Sequence, residues 1–294
     1  MENRIIVDGD LREGGDLSLP ANSEGLSYGF GLFETIKIRD GLPCFFDEHV
    51  VRHEAGVSAA GIHLNFSKEE LFLQTNALIE SMGVVDGALK IVTGKSGSRS
   101  LTYLYFKRVS AMSLGSPMRI RLSSVVKGSS AFTVKHKTLN YMDNVRELHL
   151  AEEHGFDECL FTNERAEITE CSMANLFFEK SGSIRTPSVD CGLLEGVIRA
   201  KVIQIAKEAG YSLLEGKFYL EDLEEAERVF TTNSGTGIAT VEEVNTGQAL
   251  RFDAGRDGII GELSSKLDEM ERDSLAQYVD QEQLNGCIRF TRLR

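Results

Sequence analysis

The chain has no cysteine pair, no long apolar run and no surplus of basic side chains, and each shortage removes a class of protein. Its five cysteines, Cys44, Cys159, Cys171, Cys191 and Cys287, are odd in number and share no repeated spacing or CxxC pair. Free thiols in a reducing compartment are therefore expected rather than a disulfide framework. No uninterrupted apolar stretch reaches membrane-spanning length, and the opening Met1-Glu2-Asn3-Arg4-Ile5-Ile6-Val7-Asp8 lacks the apolar segment of a signal peptide. A cytoplasmic location with no membrane partner is the expectation. Basic residues number 32 against 45 acidic ones, for a net charge of -13, which argues against nucleic acid or an anionic membrane surface as partner. Any anionic ligand must then meet a local basic pocket. Internal repeats and low-complexity segments are absent as well.

What is present describes a folded protein of ordinary composition. Hydrophobic residues make up 41% and charged residues 26%, far from the disordered class. At 294 residues the chain is long for one core, so two domains are expected. Periodicity predicts strands over 30–39, 88–93 and 118–126 and helices over 46–61 and 67–82, an α+β pattern. Lys127-Gly128-Ser129-Ser130 has the composition of a connector. The boundaries are accordingly 1–126 for an N-terminal α+β domain, 127–130 for the connector and 131–294 for the C-terminal domain. Beyond the connector, helices are predicted over 143–154 and 197–210 and a helical turn over 222–226. Strands are predicted over 158–162, 176–179 and 228–232, and the acidic stretch 268–273 reads as a solvated helix face.

Chemistry concentrates in two runs, Val134-Lys135-His136-Lys137-Thr138-Leu139-Asn140-Tyr141 and Ile168-Thr169-Glu170-Cys171-Ser172-Met173-Ala174-Asn175-Leu176-Phe177. The first offers a lysine able to form a Schiff base, since burial or neighbouring cations such as Lys135, His136 and Arg52 make a lysine amine nucleophilic. The second offers Glu170, a carboxylate suited to keeping a pyridine nitrogen protonated so that the ring withdraws electrons from a carbanion. Spacing alone does not separate Lys137 from Lys135, and a strand-end carboxylate is the plain reading of Glu170. Anion binding has two backbone candidates: the helix start at Val197 and Ile198 after the flexible Gly196, and the small-residue loop from Ser234 to Gly237. Arg52 shares a helix face with His49 and suits a phosphate, or pairs at the surface with Asp47, Glu48 or Glu54. Asn175 reads most simply as a turn-capping residue.

Together these segments resemble the fold-type IV, or class IV, pyridoxal-phosphate enzymes, which include branched-chain and D-amino-acid aminotransferases and 4-amino-4-deoxychorismate lyases. The pieces come in the family's order: Tyr28-Gly29-Phe30-Gly31-Leu32-Phe33-Glu34-Thr35, Glu48-His49-Val50-Val51-Arg52, Lys137-Thr138-Leu139-Asn140-Tyr141, Thr169-Glu170 through Phe177, and Leu194-Glu195-Gly196-Val197-Ile198-Arg199. The resemblance implies pyridoxal 5'-phosphate as cofactor, no metal, and an α+β fold of two domains. The small α+β domain comes first, the larger domain has a barrel-like sheet, and the ligand lies in the cleft between them. It implies Lys137 as the internal-aldimine lysine and proton carrier, Glu170 as the ring-nitrogen partner, Arg52 as a phosphate ligand, and Tyr141 near the 3' oxygen. Val197 and Ile198 match the phosphate-binding helix start, with Ser234 in place of a second threonine. Tyr28 and Phe33 match walls of the substrate pocket, and Gly235 and Thr236 match the amides that hold a substrate carboxylate. A homodimer is implied too.

The sequence departs from the aminotransferases at Ile198, where threonine is usual, at Gly237, where glutamate often stands, and over 88–97, which lacks their arginine-bearing strand. The expected activity is amino transfer between an amino acid, branched-chain being one candidate, and a 2-oxo acid. The alternative is 4-amino-4-deoxychorismate lyase, releasing pyruvate and 4-aminobenzoate, and a third reading is a non-catalytic protein that binds the cofactor or a partner.

Overall fold

The structure, a computed structural model, describes residues 4–14, 22–107 and 116–285. Met1, Glu2, Asn3 and Cys287 of the sequence readings lie outside them. The chain divides into two compact units. The first comprises Met1–Ser110, Lys137–Asn140 and Asp268–Arg294, and the second Ala111–His136 and Tyr141–Leu267.

The first unit is built on a six-stranded antiparallel sheet. Its order is Asp10–Glu13, Arg4–Val7, Arg99–Lys107, Gly87–Ser96, Gly31–Arg39, Leu42–Pro43. Helices Phe46–Ala59 and Lys68–Met82 contribute Phe46, Val50, Leu71 and Leu78 to a core shared with Ile36, Ile38, Leu89, Ile91 and Leu104 of the strands. Each such side chain contributes roughly 1.5–3 kcal/mol by leaving water. The second helix starts where the sequence predicts, because Ser67 and Glu70 form a capping box: Glu70 N donates to Ser67 Oγ at 3.2 Å and Ser67 N to Glu70 Oε2 at 2.8 Å.

One sequence reading fails in this unit. The stretch 268–273 lies within the helix Gly258–Asn285, yet its face is not simply solvated. Glu271 is buried and accepts from Lys37 Nζ at 2.7 Å and Arg39 Nη1 at 3.3 Å, while Asp268 also accepts from Arg39. Two basic side chains, alternate residues of the Gly31–Arg39 strand, draw acidic residues inward. Two turns after Glu271, Tyr278 lays its ring 4.8 Å from that of Phe72.

The second unit carries a nine-stranded mixed sheet. Its order is Leu213–Gly216, Ser183–Pro187, Asn175–Lys180, Arg228–Asn233, Gly237–Asn245, Met118–Lys127, Glu158–Asn163, Ile168–Cys171, with Ala249–Arg251 beside Gly237–Asn245. Register shifts interrupt the ladders at Val241/Glu243, Leu122/Val126 and Leu160/Thr162. Such irregularities increase local twist and let the sheet curl as a half-barrel. The strand Met118–Lys127 pairs in parallel with both Gly237–Asn245 and Glu158–Asn163. The expected boundary at 127–130 is therefore misplaced: that strand belongs to the second sheet, and the composition of 127–130 marks a turn inside the unit. The helices Met142–Glu153 and Val197–Glu208 occur as anticipated. Among the described residues no helix is long and apolar enough to cross a membrane.

Because Glu271 is buried against two cations, Glu271→Ala is expected to cost about 1.5–3 kcal/mol of stability in denaturant unfolding. Glu269→Ala, on the same helix, should leave the midpoint nearly unchanged, and equal costs for the two would contradict the pairing.

Candidate functional site

Within the first unit, Lys137 is placed by backbone pairing. Phe33 N donates to Lys137 O at 2.9 Å, Leu139 N donates to Gly31 O at 2.9 Å, and Leu32 and Thr138 form an antiparallel bridge between them. The segment 137–140 thus runs as a short extra strand beside Gly31–Arg39. Glycine at 31 is required, since a Cβ there would stand 2.5 Å from Thr93 O and 2.7 Å from Leu139 Cδ1. Gly29, at φ 62, accepts from Asn140 Nδ2 at 3.0 Å and closes the far end. Lys137 Nζ comes to rest 4.6 Å from the centroid of the Phe33 ring. Lys135, by contrast, is exposed at the end of the short helix Phe132–Lys135, in the second unit.

Lys90 Nζ lies 3.9 Å from the centroid of the same Phe33 ring. Burial, followed by the charge of Lys137, brings its pKa down to about 7. Next to Phe33, Glu34 is fully enclosed and gathers four donors: Arg52 Nε at 2.8 Å, Arg52 Nη2 at 2.7 Å, His49 Nδ1 at 2.9 Å and Thr35 N at 3.3 Å. Burial alone would raise this carboxyl, but the Arg52 guanidinium and His49 more than offset it and hold it well below the usual carboxylate range. Arg52 is therefore a bidentate partner of Glu34, while Asp47 accepts from Lys68 at 3.0 Å. His53, one residue on, bonds Thr93 Oγ1 at 2.8 Å, and burial pushes it down to about 4.

The second unit holds the other residues. Glu170, on the strand Ile168–Cys171, accepts from Leu194 N at 3.0 Å and from Asn175 Nδ2 at 3.3 Å, both at Oε2. Asn175 Nδ2 also donates to Leu194 O at 2.9 Å, so it is more than a turn cap. The helix Val197–Glu208 begins at Gly196, which has no side chain with which to cap its first amides. Val197 and Ile198 are buried there, and buried Arg199 ties the helix down by donating to Pro187 O and Glu215, each at 2.9 Å. Tyr141 donates its hydroxyl to Ser172 O at 3.0 Å, and Asn144 Nδ2 reaches the same oxygen at 2.8 Å. Lys127 Nζ donates to Asn144 Oδ1 at 2.6 Å and sits 4.1 Å from the Phe161 centroid. Behind Ser172, buried Glu158 accepts from Ser172 Oγ, Met173 N and Cys159 N, and burial pushes its carboxyl up to about 7.

The remaining candidates are less enclosed. Tyr28 is 73% exposed at the end of the helix Glu24–Tyr28. In the loop containing Ser234, the amides of Gly235 and Thr236 both donate to Asn233 Oδ1 at 2.9 Å, an Asx-type turn. A carboxylate using those amides must displace the Asn233 side chain. Four polar groups of these clusters, Glu34, Lys90, Lys127 and Glu158, have no assigned role in the sequence reading. Lys90 and Glu158 carried a signal, being charges inside or opening apolar strands. Lys127 was hidden by its resemblance to a linker residue. Among the described residues no group of acidic, histidine and cysteine side chains has the arrangement of a metal site.

Residues 31–244 match the family described as Amino-transferase class IV. The chain is 30% identical over 261 residues to the aminodeoxychorismate lyase of Bacillus subtilis, covering 83% of this chain and 88% of that protein. It is 26% identical over 251 residues to the D-alanine aminotransferase of Bacillus licheniformis, covering 82% and 88%. The crystal structure of the Escherichia coli branched-chain amino acid aminotransferase superposes with a TM-score of 0.84 at 20% identity, covering 92% of this chain and 95% of that one.

The first unit's buried groups set a pH dependence. His53 folds with its pKa lowered from 6.5 to about 4, and Glu34 folds with its own below 4.5. The unfolded chain then binds protons that the folded chain does not, so stability is present above those ordinary values and is lost on acidification. Thermal unfolding should show Tm falling from about pH 6.5 downward, steepening below about pH 4.5 where Glu34 adds to the histidine. Glu34→Gln should lower Tm at neutral pH and abolish the steeper limb; a variant with an unchanged acid limb would contradict this assignment.

Proposed function

The chain belongs to the class IV aminotransferase family, and from that premise we propose that it uses pyridoxal phosphate to move an amino group between an amino acid and a 2-oxo acid. The observation that carries this reading is the backbone pairing that fixes Lys137 against Phe33 inside the matched region. Enzymes of this family bind pyridoxal phosphate, and the donor set of this chain fits that molecule group by group. An amine stands for its aldehyde, an arginine and uncapped helix amides for its phosphate, a carboxylate for its ring nitrogen, and a phenol for its 3' oxygen. When bound, the cofactor supplies an electrophilic aldehyde and an electron-withdrawing ring.

The residues then have separate tasks. Lys137 would hold the cofactor's aldehyde through Nζ, and its amine would be the group that takes up and returns the proton of the substrate Cα. Glu170 holds the proton on the ring nitrogen. Arg52 and the amides of Val197 and Ile198, with Ser234, hold the phosphate, the helix start adding its dipole. Ile198 gives only its amide, having no hydroxyl. Tyr141 orients the 3' oxygen. Phe33 and Tyr28 wall the substrate pocket, and Gly235 and Thr236 bind its carboxylate after Asn233 turns away. Lys90, beside the same Phe33 ring, provides a cation where the family's arginine-bearing strand is missing. A homodimer is part of this proposal, and sedimentation velocity gives the mass that tests it.

A second reading, aminodeoxychorismate lyase, is favoured by the 30% identity to the Bacillus subtilis protein across 83% of the chain. The same residues would serve it, the bound cofactor then supplying the electron withdrawal that lets a substituent on Cβ leave as pyruvate. Purified protein is expected to be yellow with a near-visible band, which Lys137→Ala loses while keeping its fold by circular dichroism. An unchanged spectrum in Lys137→Ala would remove that lysine from the chemistry. A substrate panel then decides the reaction: turnover of branched-chain or D-amino acids with 2-oxoglutarate supports amino transfer. Formation of 4-aminobenzoate and pyruvate from aminodeoxychorismate supports the lyase, and no turnover with an intact spectrum supports a silent cofactor-binding protein.

A further inference from the structure

The proposed chemistry leaves the buried carboxamide of Asn175, in the second unit, without a task. Asn175 opens the strand Asn175–Lys180 and is 5% exposed. Its Nδ2 donates to Leu194 O at 2.9 Å and to Glu170 Oε2 at 3.3 Å, and the Leu194 amide returns to that same Oε2 at 3.0 Å. Leu194, distant in sequence from the neighbouring pair Glu170 and Asn175, thus closes a ring of hydrogen bonds with them. Two residues past Leu194 lies Gly196, the N-cap of the Val197–Glu208 helix, and a Cβ on it would collide with Asn175 Oδ1. The backbone at Gly196 has φ -71, which any residue adopts, so the glycine is demanded by the carboxamide beside it rather than by the chain's conformation.

We infer that Asn175 is a positioning residue: it locks the plane of the Glu170 carboxylate and, through Leu194 and Gly196, the start of the Val197–Glu208 helix as one piece. The last torsion of a glutamate is broad, so a single contact leaves its carboxylate free to turn. Two donors converging on one oxygen, both anchored to Leu194, remove that freedom. The inference rests on the assignment of Glu170 to the ring nitrogen and of the helix start to the phosphate, and it joins the two: the ring and phosphate ends are set at a fixed separation by one side chain. A rigid second set of contacts behind a functional group is what keeps it in productive geometry.

The test has one arm that needs no cofactor. In cofactor-free protein, hydrogen exchange across residues 192–197 should quicken by about tenfold in Asn175→Ala, the loss of one buried hydrogen bond, while the rest of the Asn175–Lys180 strand keeps its protection. Unchanged exchange overturns the lock whether or not cofactor binds. In protein loaded with pyridoxal phosphate, the midpoint of the absorbance titration should move in Asn175→Ala in the direction seen for Glu170→Gln, by a smaller amount. Gly196→Ala should reproduce that shift by displacing the carboxamide, and the double variant Asn175→Ala/Gly196→Ala should be no worse than Asn175→Ala, because the Cβ then has room. A lower Tm with an unmoved titration midpoint, or additive effects in the double variant, overturns the positioning role. Wild-type protein that takes up no pyridoxal phosphate defeats the functional reading instead, and the exchange arm still decides the lock.

Discussion

The pairing of residues 137–140 with the strand Gly31–Arg39 is the constraint on which the placement of Lys137 in the first unit depends. Two backbone hydrogen bonds, from Phe33 N to Lys137 O and from Leu139 N to Gly31 O, carry a distant segment into that unit. Hydrogen bonds of this kind contribute little net stability each, about 1 kcal/mol, but they fix direction. They also explain the glycine at 31, where a side chain would strike Thr93 O and Leu139. A flexible lysine thereby acquires a defined neighbour, the ring of Phe33.

Buried charge is handled differently in the two units. In the first, Glu34 is enclosed with a guanidinium and an imidazole and stays ionised. In the second, Glu158 is enclosed with a hydroxyl and two amides, without a cation among its bonded partners, and burial moves its carboxyl up to about 7. The contrast follows from the cost of taking a charge out of water, which neutral donors offset only in part. Through Ser172 the Glu158 group supports the carbonyl that receives Tyr141 and Asn144, so a carboxyl remote from the motifs still shapes what the phenol can reach.

The elements nearest the motifs were legible because local signals agreed there. The capping box at Ser67 and Glu70 marks a helix start, and the apolar run after Glu158 marks a strand. Strands at 99–107 and 237–245 were not read, since their polar residues break the alternation and their identity comes from neighbours in the sheet. The domain boundary at 127–130 failed for a related reason. Gly128 and the two serines have linker composition, but what assigns a segment to a unit is which strands it pairs with, and Met118–Lys127 pairs with partners more than 30 and 110 residues away. Arg52 and Glu34 were both in view, yet nothing in the spacing says that one would grip the other.

The overall charge of -13 describes the surface poorly suited to attract an anion, but the neighbourhood of Phe33 reverses that sign locally. Lys90 and Lys137 share its ring, and Arg52 grips the adjacent Glu34, so cations outnumber carboxylates there. Such crowding has a cost, visible in Lys90, whose proton is held only up to about pH 7 because it is buried and beside a like charge. An anion arriving at that ring relieves the repulsion and favours the protonated amine. The charge that the cluster lacks is one an anion would bring, and attraction for an anion is strongest where water is excluded. In a net acidic chain such an excess of cations stays confined to the few ångströms around one aromatic ring and does not extend over the surface as a whole.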